Sequence, residues 1–161
     1  MPDFDEDLQE RIARRVQEDG LSVGVAESLT GGLLTDALAT SEGSGEWLRG
    51  GIVAYGTEVK RSLLAVDGPV ISRECATQMA DAARRLLGAD VGLGITGVGG
   101  PDRQEGQPVG TVLIACATPD GSIAEEHAFD GDAPEIVDAS VEHGMRVLLR
   151  ALDGAQEVRH G

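Results

Sequence analysis

Residues 23–32 read VGVAESLTGG, an apolar run that passes directly into an acid, two hydroxyls and two glycines. A short apolar run bounded by turn residues predicts a buried strand. A chain that leaves such a strand through Glu27, Ser28, Thr30, Gly31 and Gly32 is building a loop that binds or reacts. Leu33, Leu34, Ala37 and Leu38 then recur at helical spacing, which predicts a helix beginning near Thr30 and closed by the turn-rich TSEGSGE at 40–46. Strand, loop and helix in that order form the repeating unit of a parallel α/β sheet.

The same alternation extends in both directions. Leu8, Ile12 and Val16 lie four apart among charges and predict a helix over 5–19, stopped by Gly20. GGIVAYG at 50–56 reads as a second strand, Thr57 as the cap of a short helix over 58–65, and Ser72 as the cap of a longer helix over 73–87. ADVGLGITG gives a third strand and VGTVLIACAT a fourth. SIAEEHAFDG gives a fifth, joined to the fourth by a hairpin turn at Pro119, Asp120 and Gly121. A last helix over 134–152 carries Ile136, Val141, Met145, Leu148 and Leu149, and the tail after Gly154 is expected to fray. The expected architecture is a three-layer α/β/α sandwich on a mixed, mostly parallel sheet of about five strands, built as one domain over residues 1–161.

Composition narrows the partners. With 28 acidic against 13 basic residues the net charge is −15, which argues against binding to nucleic acid or anionic membrane, because phosphate attraction needs clustered cations. Small molecules and further copies of the chain, as a homo-oligomer, are the expected partners. Lys60 is the only lysine, and an acid-rich, lysine-poor surface suits high salt. Cys75 and Cys116 have no metal-ligand spacing and read as buried thiols; His127, His143 and His160 lack zinc spacing and read as exposed or capping residues. No metal or cofactor is expected. With neither a basic-then-apolar leader nor an apolar run near the roughly 18 residues that cross a bilayer, the protein is expected to be cytoplasmic.

Ligands of such sheets bind beyond the carboxyl ends of the parallel strands. Three segments reach that edge: AESLTGG, AYGTEVK and GITGVGGPD. Gly92, Gly94 and Gly97 match GxGxxG formally, but they lie inside a strand and open no helix, so they read as close packing of backbone. A serine nucleophile without a nearby histidine needs another base, and a lysine serves if its surroundings favour the neutral amine. Lys60, in the first turn of its helix, fits that description, because the positive end of the helix dipole disfavours a cation. Ser28 lies before a helix N-terminus, where amides can face an oxyanion. The alternative is that Ser28 is a cap and Lys60 a solvated surface charge.

AESLTGG, GGIVAYGTEVK, GITGVGGPD and QPVGTV, in this order and across nearly the whole chain, resemble the C-terminal amidase domain of the competence-damage protein CinA, also found as stand-alone nicotinamide-nucleotide amidases. The resemblance implies hydrolysis of the carboxamide of nicotinamide mononucleotide to nicotinic acid mononucleotide and ammonia, without a metal. It places the nucleophile on Ser28, the catalytic lysine on Lys60, and a tyrosine beside the nicotinamide on Tyr55. It implies substrate contacts at Thr30, Gly31 and Gly32 and, in the third loop, whose match also includes Pro101, at Thr96, Gly97, Gly100 and Asp102. The nucleotide-related domain that precedes this one in full-length CinA is not expected here. This sequence also departs from the family pattern. FDGDAPEIVDAS has Ala133, Pro134 and Asp138 where basic residues suited to a phosphate usually stand, YGT replaces YSN, and Arg103 and Gln104 replace a double glycine. Arg61 and Arg103 are the candidate replacements for those cations. A catalytically weakened nucleotide- or nucleoside-binding module is the alternative to an enzyme.

Overall fold

The computed structural model describes residues 3–160, with side chains described through Gly154. In chain order the elements are α1 (Glu6–Asp19), β1 (Val23–Glu27), α2 (Leu33–Ala39), α3 (Ser44–Trp47), β2 (Leu48–Val53), α4 (Thr57–Leu64), α5 (Arg73–Leu87), β3 (Val91–Gly97), β4 (Thr111–Thr118), β5 (Gly121–Ala128) and α6 (Ala133–His160). The sheet order is β2-β1-β3-β4-β5. β1 is parallel to β2 and β3, and β4 is antiparallel to both β3 and β5, so β4 alone runs against the other four strands. This is the three-layer mixed sandwich expected from the sequence.

Each layer follows from side-chain alternation. Val23, Val25, Leu93, Ile95, Val112 and Ile114 face one core, where they meet Ile12, Leu38, Trp47 and Leu148 from the α1, α2, α3 and α6 side. The other face carries Ala26, Leu113, Ala115 and Ala117 and packs on Met79, Ala80 and Ala83 of α5 and Leu64 of α4. That second face is made small so that α5 can come close. A Cβ at Gly92 would fall 2.0 Å from the Ala80 carbonyl oxygen, and one at Gly94 2.3 Å from that of Ala76. The in-strand glycines are therefore packing positions, as read from the sequence.

Local signals set most ends. Asp5 accepts from the Leu8 amide and Gly20 closes α1 in the left-handed region; Ser72 accepts from the Cys75 amide and Gly88 closes α5 in the same way. Four boundaries differ from the sequence reading. α2 begins at Leu33 rather than near Thr30, because residues 28–33 form two successive tight turns, Gly31 N–H to Ser28 O and Leu33 N–H to Thr30 O. The TSEGSGE stretch contains the short helix α3. Gly56, not Thr57, caps α4, and it does so without a side-chain bond. The α6 backbone continues past Gly154 to His160, since residues 155–160 contain no glycine or proline to stop it.

Both cysteines are free and buried, as expected. His127 and His143 are not simple surface or capping groups: with Phe129 they form a ring cluster, centroids 4.8–5.4 Å apart, between β5 and α6. The His160 side chain lies outside the described residues. No helix among the described residues is long and apolar enough to cross a membrane.

Candidate active site

Parallel pairing of β1 with β2 and β3 brings three loops to one sheet edge. Ser28 N–H donates to Ile95 O at 3.2 Å, and Ala54 N–H donates to Glu27 O at 2.9 Å, so both ladders run to the last residues of the strands. A Cβ at Gly99 would stand 3.8 Å from the Leu29 Cβ, and one at Gly32 3.6 Å from Val53, which places the first loop against both of the others.

Ser28 is 5% exposed, and its hydroxyl forms no hydrogen bond among the described residues. The turn that carries it is fastened by Glu27, which the sequence reading passed over. Glu27 is fully buried and accepts four hydrogen bonds, from the Thr30 hydroxyl, the Leu34 amide, the Thr35 amide and the Thr35 hydroxyl. Leu34 and Thr35 are in the first turn of α2, whose N-cap is Gly32, so the strand-end carboxylate does the work a capping side chain would do. Gly51 makes room for this arrangement, since a Cβ there would overlap the Thr35 hydroxyl at 2.0 Å. An acid at the end of an otherwise apolar strand was the signal.

This network changes the list of possible oxyanion donors. The Thr30 hydroxyl is committed to Glu27, and the Gly31 amide to Ser28 O at 3.0 Å. The amides of Leu29, Thr30 and Gly32 have no acceptor among the described residues. They are the free donors that follow Ser28.

Lys60 is not a solvated charge. It is 2% exposed, and its Nζ donates to Tyr55 O at 3.2 Å, its one hydrogen bond among the described residues. Burial pushes the amine below its ordinary value, against the opposing pull of Cys75 and the Glu105 carboxylate. Burial is thus the cause that favours the neutral form. Cys75 is itself pushed up to about 11 by burial, despite the opposing Lys60 and a hydrogen bond with Thr96, so near neutrality it faces Lys60 as an uncharged thiol.

The remaining sequence candidates separate into framework and rim. Thr96 is fully buried, and its hydroxyl donates to Val70 O at 2.9 Å. Gly97 packs on the backbone of the next strand, where a Cβ would come 2.6 Å from Thr111 O. Gly100 has φ of +93°. Pro101, Asp102 and Arg103 are exposed. Tyr55 contributes its carbonyl to Lys60, while the residue as a whole is 71% exposed. Arg61 donates to Gly68 O. Residues 133–142 carry no cation: Asp132 and Glu135 cap each other's amides at the start of α6, and Asp138 and Glu142 join Asp3, Phe4 and Asp5 around a cavity of about 280 Å³.

Known proteins share this fold over nearly the whole chain. A CinA-like protein of Frankia casuarinae is 41% identical over 157 residues, covering 93% of this chain and 36% of its own length. The chain thus spans just over a third of the length of the curated relatives it matches, 38% in the case of one from Desulforamulus reducens. Among solved structures, a CinA superfamily protein of Klebsiella pneumoniae superposes with a TM-score of 0.87 at 30% identity, covering 92% of this chain and 98% of that one. The competence/damage inducible protein CihA of Agrobacterium tumefaciens superposes with a TM-score of 0.81 at 33% identity, covering 95% and 99%. With the family described as CinA C-terminal domain matching residues 5–152, the chain belongs to that family.

Proposed function

We propose that this domain is an amidohydrolase that removes ammonia from the carboxamide of a nicotinamide nucleotide through a Ser28/Lys60 pair. The observation that carries this reading is the buried Lys60 amine, desolvated and left with one carbonyl partner, on the loop edge that also carries an unpaired serine hydroxyl. A buried lysine with no carboxylate in hydrogen-bond contact is costly to keep charged, and the neutral amine that burial favours is the form that accepts a proton.

In the proposed reaction Ser28 Oγ attacks the amide carbon as its proton passes to Lys60 Nζ. The free amides of Leu29 and Thr30 are the donors suited to the oxyanion. Lys60 returns the proton to the departing ammonia, and water releases the acyl group from Ser28 by the same steps in reverse order. Tyr55, in the connection between β2 and α4, supplies an exposed ring for stacking on the flat pyridine ring.

The acidic surroundings of α6 support a second version, in which the substrate lacks the phosphate. Asp132, Glu135 and Asp138 offer repulsion where a phosphate would need cations. Ammonia release from nicotinamide mononucleotide, nicotinamide riboside and nicotinamide, measured in parallel at low and high salt, decides between the two. Turnover of the riboside alone selects the phosphate-free version, and activity on none of the three turns the reading to a ligand-binding module of the same fold.

A further inference from the structure

We propose that Glu105, in the loop after β3, is a positioning residue for Lys60, its carboxylate clamping the backbone of the turn that follows α4. Its effect on turnover rests on the amidase reading; its effect on Lys60 does not.

The clamp is built from the sequence QEGQ. Gln104 and Gln107 pair as an isolated bridge, 2.9 Å from Gln107 N–H to Gln104 O, and the two residues between them, Glu105 and Gly106, have φ of +52° and +75°. Positive φ at both central positions is the signature of a type I′ turn, which favours glycine, asparagine or aspartate at the first of them. A glutamate there accepts a conformational penalty, and its side chain shows what offsets it. The two carboxylate oxygens accept separately from the Val70 amide at 3.0 Å and the Ile71 amide at 2.8 Å, across more than thirty residues of chain. Val70 is held from its other side as well, its carbonyl accepting from the Thr96 hydroxyl at the end of β3.

What the clamp holds is the floor of α4. Val70 and Ile71 pack in the same core cluster as Leu64 and Val66, and the Val66 amide donates to Lys60 O at 3.1 Å. The path from Glu105 to the Lys60 backbone is therefore continuous packing and hydrogen bonding. The groups that act on the Lys60 charge are Cys75 from α5 and Glu105 from this loop, with Arg61 of α4 acting on Cys75. Because the Cys75 thiol ionises only at about 11, Glu105 is the neighbour whose charge acts on Lys60 near neutrality. Burial and this carboxylate thus oppose each other at one amine.

Lys60 being the only lysine, isotopic labelling of lysine yields a single side-chain NMR signal that titrates without any need for turnover. In Glu105→Gln the Lys60 midpoint should move to lower pH, since a carboxylate that favours the ammonium form has been removed. In Glu105→Ala it should move the same way, and exchange of the Val70 and Ile71 amide hydrogens should accelerate by on the order of tenfold or more, as for loss of a charge-assisted hydrogen bond. Where the wild type hydrolyses an amide, the acid limb of its pH profile should move to lower pH in Glu105→Gln together with the NMR midpoint. An unmoved Lys60 midpoint in Glu105→Gln, or unchanged exchange at Val70 and Ile71 in Glu105→Ala, overturns the proposal. A wild type without amidase activity, but with these shifts present, would sink the amidase reading and leave the clamp standing.

Discussion

Glu27 at the end of β1 and Lys60 in α4 are both buried ionisable side chains, and the fold treats them in opposite ways. Glu27 has both carboxylate oxygens filled by two hydroxyls and two amides. Lys60 has a single backbone carbonyl as its hydrogen-bond partner among the described residues. A buried charge whose bonding capacity is met belongs to the scaffold, because any change leaves orphaned donors behind. One left with a single neutral partner remains free to exchange its proton. The first holds the turn that presents Ser28, and the second stands in α4, the helix that follows β2.

The comparison breaks most sharply at Lys60. If this amine is the base, Lys60→Ala and Lys60→Arg should both lower the rate of ammonia release by about a hundred- to ten-thousand-fold, since a guanidinium stays protonated and accepts nothing. Recovery of much of the rate in the arginine variant would make Lys60 a binding charge instead. For Glu27 the effect should fall on stability. Glu27→Ala strands two amides and two hydroxyls around α2, which should lower stability by at least about 3 kcal/mol and the unfolding midpoint by roughly 6–12 °C. Urea and thermal unfolding test this, and a loss below about 1 kcal/mol would mean that the network is not structural.

The smallest effect sharpens the contrast by reversing its sign. Lys60→Met should unfold at a higher temperature than the wild type near neutral pH, because the wild type binds the Lys60 proton less tightly folded than unfolded. Wild-type stability should therefore rise with pH through the window between the lowered folded value and the ordinary 10.5, and the advantage of the methionine variant should shrink across it. Thermal scans at several pH values measure this, and a methionine variant less stable at every pH would contradict it.

Much of this was legible in the sequence. The periodicities of Leu8, Ile12 and Val16, and of Ile136 through Leu149, mark faces that are buried, and the alternation of strands and helices gave the parallel strands whose following loops meet at one sheet edge. The burial of Lys60 was not legible, because α4 inverts the usual pattern. Val59 and Leu63 are 41% and 47% exposed, while Lys60 and Leu64, four apart on the opposite face, are 2% and 1% exposed. Helical periodicity says which residues share a face, and here the face containing the cation is the one turned inward. Glu27 and Glu105 escaped for a related reason. Each acts through hydrogen bonds to backbone amides, Glu105 across more than thirty residues, and no spacing rule reports such a contact.

The most direct test of the central claim is ammonia release from nicotinamide mononucleotide and nicotinamide riboside by Ser28→Ala beside the wild type, with ligand binding followed by calorimetry in the same samples. Removing the nucleophile should abolish turnover and leave binding in place, because the Ser28 hydroxyl makes no hydrogen bond among the described residues and the backbone bonds that hold the loop survive in alanine. Turnover by Ser28→Ala near the wild-type rate would contradict the account.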